Sequence, residues 1–179
     1  KKTIFTALKT YFIIIAACAA LVFSSCDRYN KLLKSSDYDL KLTKAKEEKA
    51  NANLKAGQEY LATNKTKPGI TETASGLQYE VIVMGEGAQP NASQNVTCHY
   101  HGMLIDGTVF DSSLKRGVPA TFPLGHVIAG WTEGLQLMPV GSKFRFYIPP
   151  HLGYGNRQVG PTIAPNSTLV FDVELLGIS

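Results

Sequence analysis

Val96-Thr97-Cys98-His99-Tyr100-His101-Gly102-Met103-Leu104-Ile105-Asp106-Gly107-Thr108-Val109-Phe110-Asp111 is the stretch on which the fold turns. Val96, Cys98 and Tyr100 alternate with Thr97, His99 and His101, the period of two that sends successive side chains to opposite faces of a strand. Asp106-Gly107 is a tight-hairpin signal, because both positions of such a turn tolerate left-handed backbone. A strand over 96–104 therefore doubles back into a second one at 108–111, and Asp106 needs no role beyond its turn. Cys98 shares the inward face with Tyr100 and behaves there as a small hydrophobe. His99 and His101 are expected on the other face, towards solvent.

Further strands extend this pairing on both sides. Leu77, Tyr79, Val81 and Val83 alternate before Gly85-Glu86-Gly87, which is a turn rather than a phosphate loop, since no helix follows it. Phe144, Phe146 and Ile148 alternate on another strand, with both Phe rings expected in the core. Leu169, Phe171, Val173 and Leu175 alternate on a closing strand, with Asp172 and Glu174 outward. Between them, Val127, Ile128, Trp131 and Leu135 recur at helical spacing over 127–137. Residues 112–125, with Gly117 and Pro119, are expected as loop. The fold class is α+β, a curved antiparallel sheet wrapped around one short helix. A long segment over 148–167, rich in Gly and Pro, joins the last two strands, and loops of that length inside a compact domain are usually functional.

Tyr100, Phe110, Phe122, Trp131, Phe146, Tyr154 and Phe171 are scattered over these elements, with Asp111 as the chief polar group among them. Aromatics concentrated in this way build a deep apolar pocket with few hydrogen-bonding groups at its lip. Such a surface suits chemistry that needs dehydration more than proton transfer, and a proline-containing peptide fits it. No Gly-x-Ser-x-Gly elbow supports a hydrolase. His99 and His101 lack a third ligand nearby, and His126 and His151 fall in other segments, so no metal or other cofactor is expected.

The N-terminal part has a different texture. Lys1 and Lys2 precede an apolar run from Tyr11 to Phe23 that ends in Ser24-Ser25-Cys26. A basic start, a short apolar core and small residues before the break mark an export signal over 1–25. The run is shorter than the roughly 20 residues that cross a bilayer as a helix. Cys26 after two small residues resembles a lipobox and is the expected lipidation site, although Phe23 stands where Leu is commoner. The net charge of +4 is partly a property of this leader. Eighteen Lys and Arg face fourteen Asp and Glu, and three of the basic residues, Lys1, Lys2 and Lys9, lie in the leader, which leaves fifteen. No basic stripe remains to suggest nucleic acid. Residues 26–68 form a polar helical stalk, capped at Ser36 or Asp37 and running to about Asn64 before Pro68-Gly69. Leu33, Leu40, Leu54 and Leu61 share a heptad position, but Glu47 interrupts them, so a solvated stalk and self-association both stay open. The compact domain is expected over 69–179.

The segments Tyr100-His101-Gly102-Met103-Leu104, Asp106-Gly107-Thr108-Val109-Phe110-Asp111-Ser112-Ser113, Val127-Ile128-Ala129-Gly130-Trp131 and Thr168-Leu169-Val170-Phe171-Asp172-Val173-Glu174-Leu175-Leu176 closely resemble the FK506-binding proteins (FKBPs), which are peptidyl-prolyl cis-trans isomerases. The resemblance covers roughly 76–178. The leader and the Lys-rich helix resemble bacterial envelope members such as the macrophage infectivity potentiators. The resemblance implies an FKBP-like sheet around a helix, Pro-containing polypeptides as substrates and macrolides such as tacrolimus and rapamycin as inhibitors. It implies Trp131 as the pocket floor, with Tyr100, Phe110, Phe122, Val127, Ile128, Ile163 and Phe171 as walls. Tyr154 and the Ile128 N–H would donate to substrate carbonyls, and Asp111, beside Phe110, would tune the polarity around the twisting amide. Asp111, Tyr154 and Phe110 are thus the catalytic set implied.

In the loop over the pocket Ala164 stands where the family often has a second Pro before Pro165, and Val159 and Thr162 occupy positions that vary in the family, which bears on affinity and preference. The loop over 149–166 is too short for the inserted chaperone flap of some relatives. The rival reading is a non-catalytic module that holds Pro-containing chains or docks on one envelope partner, and Asp111 has the bland alternative of bracing the loop after it.

Overall fold

The computed structural model describes residues 38–179. The leader over 1–25, the lipid acceptor Cys26, Leu33 and the capping pair Ser36 and Asp37 lie outside the described residues. Helix α1 occupies 38–64, and its residues 38–47 are exposed throughout. From Glu48 onward the chain forms one compact unit.

That unit is a seven-stranded antiparallel sheet. Its strands are β1 (Ile70–Glu72), β2 (Gln78–Val83), β3 (Asn95–Leu104), β4 (Val109–Ser112), β5 (Ala120–Pro123), β6 (Lys143–Ile148) and β7 (Leu169–Ile178). The order across the sheet is β1-β2-β6-β7-β3-β4, and β5 joins β3 beside β4. β3 and β7 are the central pair, in register from Val96 opposite Ile178 to Leu104 opposite Leu169. Their inward residues are the ones the alternation selects: Val96, Cys98 and Tyr100 on β3, and Leu169, Phe171, Val173 and Leu175 on β7 are all buried.

Helix α3 (Ala129–Leu135) lies across the inner face and buries Trp131 and Leu135 against it. Two glycines one turn apart let it approach. A Cβ on Gly134 would sit 2.6 Å from the Phe146 ring, and one on Gly130 would sit 2.7 Å from Ile148. The helix is shorter than the 127–137 expected, because Val127 and Ile128 are extended and Ile128 serves as the N-cap.

Three further expectations change. Residues 112–125 are not simply loop: they hold helix α2 (Ser113–Arg116), ended by Gly117 in the left-handed conformation, and then β5. Val81 and Val83 do not reach the core, for a register shift opposite Phe144 and Lys143 carries the end of β2 outward and leaves Val83 51% exposed. His99 and His101 are half-buried rather than in solvent. Their Nδ1 atoms lie 3.0 Å from Ser113 Oγ and Ser112 Oγ, which ties β3 to the start of α2.

The outer face of the sheet is covered at one end by α1. Tyr60 packs on Tyr147 at 6.1 Å between ring centroids, and Gln78 is buried with its amide bonded to Leu61 O and to Asn64. The residues that dock are Asn53, Gly57, Tyr60 and Asn64, a stripe at helical spacing made of amides, a glycine and one aromatic. Hydrophobic periodicity carries no trace of such a contact, because the stripe is mostly not hydrophobic.

Candidate active site

The sheet's inner face, α3 and the loop over 149–167 form a cavity of about 540 Å³ that is open to solvent on one side. It is lined by Tyr100, Phe110, Asp111, Phe122, Val127, Ile128, Trp131, Tyr154, Ile163 and Phe171. These are the ten residues singled out from the sequence, and the fold brings them to one place. β3 supplies Tyr100, the β4 hairpin supplies Phe110 and Asp111, β5 supplies Phe122 and β7 supplies Phe171. The lead-in to α3 provides Val127 and Ile128, and the long loop provides Tyr154 and Ile163.

Trp131 is only 5% exposed and receives three rings edge-on. Phe171 lies 5.2 Å from it at 80°, Tyr100 5.4 Å at 82° and Phe122 5.7 Å at 89°. Phe110 in turn meets Phe171 at 5.4 Å and 81°. Edge-to-face pairs place the positive rim of one ring on the negative face of another and add about 0.5–1.5 kcal/mol each beyond area burial. The floor and three walls are therefore locked by one another. The indole Nε1 is buried without a partner among the described residues.

Polarity enters through one network. Tyr100 donates its hydroxyl proton to Asp111 Oδ2 at 2.5 Å, Arg116 of α2 donates from Nη1 to Asp111 Oδ1, and Arg116 Nη2 donates to Tyr100 Oη at 2.7 Å. Arg116 also lies over the Tyr100 ring, 5.5 Å from its centroid. Burial by itself would raise the Asp111 carboxyl. The bonds from Tyr100 and Arg116 and the guanidinium charge outweigh it, so the group stays below the usual carboxylate range. The Tyr100 hydroxyl is pushed up, first by burial and then by the bond to Asp111. Asp111 is thus ionised, its two oxygens are engaged, and it is a poor base. It lines the cavity and braces α2 together, so the two roles open to it from sequence are not exclusive.

Two donors remain free at the cavity. Among the described residues neither the Tyr154 hydroxyl nor the Ile128 N–H has a hydrogen-bond acceptor. Arg116 and His126 were not legible as site residues. Arg116 had one available signal: a carboxylate embedded among aromatics needs a counter-charge, and Arg116 is the cation one turn beyond it. His126, exposed at the rim beside Val127, carried no such signal. Val159, Gly160, Pro161 and Thr162 complete the loop wall.

Residues 86–176 match the family described as FKBP-type peptidyl-prolyl cis-trans isomerase. The chain belongs to that family. Residues 23–81 match the domain described as amino-terminal to FKBP-type peptidyl-prolyl isomerase, so the FKBP lead-in is itself of a known type. An FKBP-type peptidyl-prolyl cis-trans isomerase, FkpA, from Aeromonas hydrophila is 56% identical over 154 residues, which are 85% of this chain and 57% of that protein. The outer membrane protein MIP of Legionella longbeachae is 52% identical over 130 residues, covering 73% of this chain and 56% of the relative. The crystal structure of FkpA from Escherichia coli superposes with a TM-score of 0.78 at 41% identity, over 84% of this chain and 71% of that one. The chain spans about half the length of the curated relatives it matches. The α+β sheet expected from the strand pattern, and the FKBP-like architecture that the resemblance implied, are the ones observed.

Proposed function

We propose that this FKBP-type chain is a peptidyl-prolyl cis-trans isomerase that rotates X–Pro bonds in envelope or secreted proteins. The observation that carries the reading is the aromatic-lined cavity around Trp131, with two unengaged donors and, among the described residues, a carboxylate whose two oxygens are already bonded.

The barrier to rotation is amide resonance, about 18–20 kcal/mol, and X–Pro bonds equilibrate unaided over roughly tens to hundreds of seconds. The planar amide is polar and well hydrated, whereas the twisted amide has lost its resonance and is less so. A cavity that seats the Pro ring on Trp131 and strips water from the amide therefore favours the twisted state. Tyr154 Oη and the Ile128 N–H donate to carbonyls flanking the bond and hold the chain while it turns. Asp111, fixed by Tyr100 and Arg116, and Phe110 border the Pro ring and set the polarity around the amide. No proton moves, which accords with a carboxylate whose oxygens are already occupied.

The full chain with a short X–Pro peptide tests this by cis-to-trans relaxation with and without rapamycin. Catalysis that rapamycin abolishes supports the isomerase. Rapamycin binding without catalysis transfers the function to a binding or docking module.

The envelope location and the organisation follow the same logic. The leader over 1–25 directs export, lipid on Cys26 tethers the chain, and within the stalk segment over 26–68 it is the part before Glu48 that spaces the compact unit from the membrane. The Legionella longbeachae relative, named as an outer membrane protein, supports this placement. No helix among the described residues is long and apolar enough to cross a membrane. Radiolabelled palmitate incorporated by the wild type and lost in Cys26→Ser is the expected result.

A further inference from the structure

Among the described residues the cavity's loop wall pairs only with itself, through Val159 and Ile163, and its C-terminal end is tied to α1. Asn53 Nδ2 donates to Pro165 O at 3.0 Å, and Asn166 Nδ2 donates back to Ala50 O at 3.3 Å. The tie then runs into the wall: Asn166 N donates to Gly155 O at 2.8 Å, and Gly155 N donates to Pro150 O at 2.8 Å. Tyr154 is the residue before Gly155, and Ile163 lies two residues before Pro165. Asn166 is the one non-glycine residue with positive φ among the described residues, at 58°, a conformation that Asn accepts more readily than most side chains.

The junction is close where the tie is made and loose beside it. A Cβ on Gly57 would fall 2.2 Å from Thr168 Oγ1, so a larger residue must displace the Thr168 side chain or α1 itself. The Thr168 hydroxyl is buried there without a hydrogen bond. Next to it a small cleft of about 80 Å³, open to solvent, runs between Asn53 and Ala56 of α1 and Leu104, Asp106, Ser167 and Thr168. Apolar packing therefore contributes little at this corner, and the amide bonds set the distance.

We infer that Asn53 of α1, brought close by the missing side chain of Gly57, is a positioning residue for the active-site loop, which it latches so that Tyr154 and Ile163 face the cavity. The inference rests on the isomerase reading for its effect on turnover. The latch itself has readouts that do not. Asn53 touches neither substrate nor the reacting bond; it acts through Pro165, Asn166 and Gly155.

The test uses the full chain. Asn53→Ala is expected to lower kcat/KM about tenfold, on the scale of one or two lost neutral hydrogen bonds, with a matching loss of rapamycin affinity read from Trp131 emission. Amides over 154–166 should exchange with deuterium faster, while those of β3 and β7 and the urea midpoint stay as in the wild type. Asn53→Gln, which keeps the amide, should recover part of the loss. Asn166→Gly, which keeps the backbone conformation and removes the reciprocal amide, should reproduce it. Unchanged loop exchange and rapamycin affinity in Asn53→Ala and Asn166→Gly would overturn the latch, as would faster exchange spread equally over β3 and β7. A wild type that binds rapamycin but turns over no peptide would sink the isomerase reading alone, leaving exchange and affinity to decide the latch.

Discussion

Phe171 and Asp172 are adjacent in β7 yet lie on opposite faces of the sheet, and the two faces are built on different physics. Inward, Phe171 belongs to a cluster of rings that fix one another edge-to-face around Trp131. Outward, Asp172 sits opposite Arg145 on one side and His101 on the other, and Glu174 sits opposite Lys143 and His99. Arg145 binds Asp172 through Nε at 2.5 Å and Nη2 at 2.9 Å. The inner face obtains rigidity from shape, so a change of volume disturbs many contacts together. The outer face obtains order from pairs of charges beside water, where each pair is nearly independent of the next. Function gathers on the face whose parts are interdependent.

Substitutions separate the two. Trp131→Ala removes the floor and should abolish measurable catalysis, with about 3–5 kcal/mol lost from the unfolding free energy in urea. Asp111→Ala should lower kcat/KM about tenfold by leaving Tyr100 and Arg116 without their shared acceptor. Its unfolding midpoint should move far less than that of Trp131→Ala, because the site is half open to water. Asp172→Asn, one residue from a cavity wall, should cost about 1 kcal/mol of stability and leave kcat/KM unchanged. A fall in turnover there would mean that the faces are coupled through β7.

The smallest effect expected is that of pH. The folded-state pKa of Asp111 is depressed, so its contribution is present above the unfolded value and lost only as pH falls through the folded one. The raised Tyr100 hydroxyl keeps its proton throughout. The Asp111–Tyr100 pair therefore predicts kcat/KM flat from about pH 6 to 8, with decline only below about pH 4. A bell-shaped profile centred near neutrality would point to a titrating base and contradict rotation without proton transfer.

Legibility from sequence followed the length of each element and the origin of its order. β3 and β7 run long enough for alternation to mark their buried sides, and the Asp106-Gly107 turn fixed the hairpin between β3 and β4. β1, β5 and α2 are three or four residues long, too short for any period to register. The outward drift of Val81 and Val83 depends on a register shift that no local pattern announces. In the cavity, the aromatic positions were visible through motif spacing. Arg116 was hidden because its role is defined by a bond to Asp111, and the docking of α1 was hidden because Asn53, Gly57 and Asn64 do not look like a core.

Cys98 shows a last consequence of the central strand. Its thiol is enclosed by β3's neighbours, and burial pushes it up to about 12, so almost no thiolate forms near neutral pH. Under the proposed function, a folding helper exported among client chains with unpaired cysteines would be open to capture as a mixed disulfide. Seated where it is, this sulfur offers such clients nothing to exchange with.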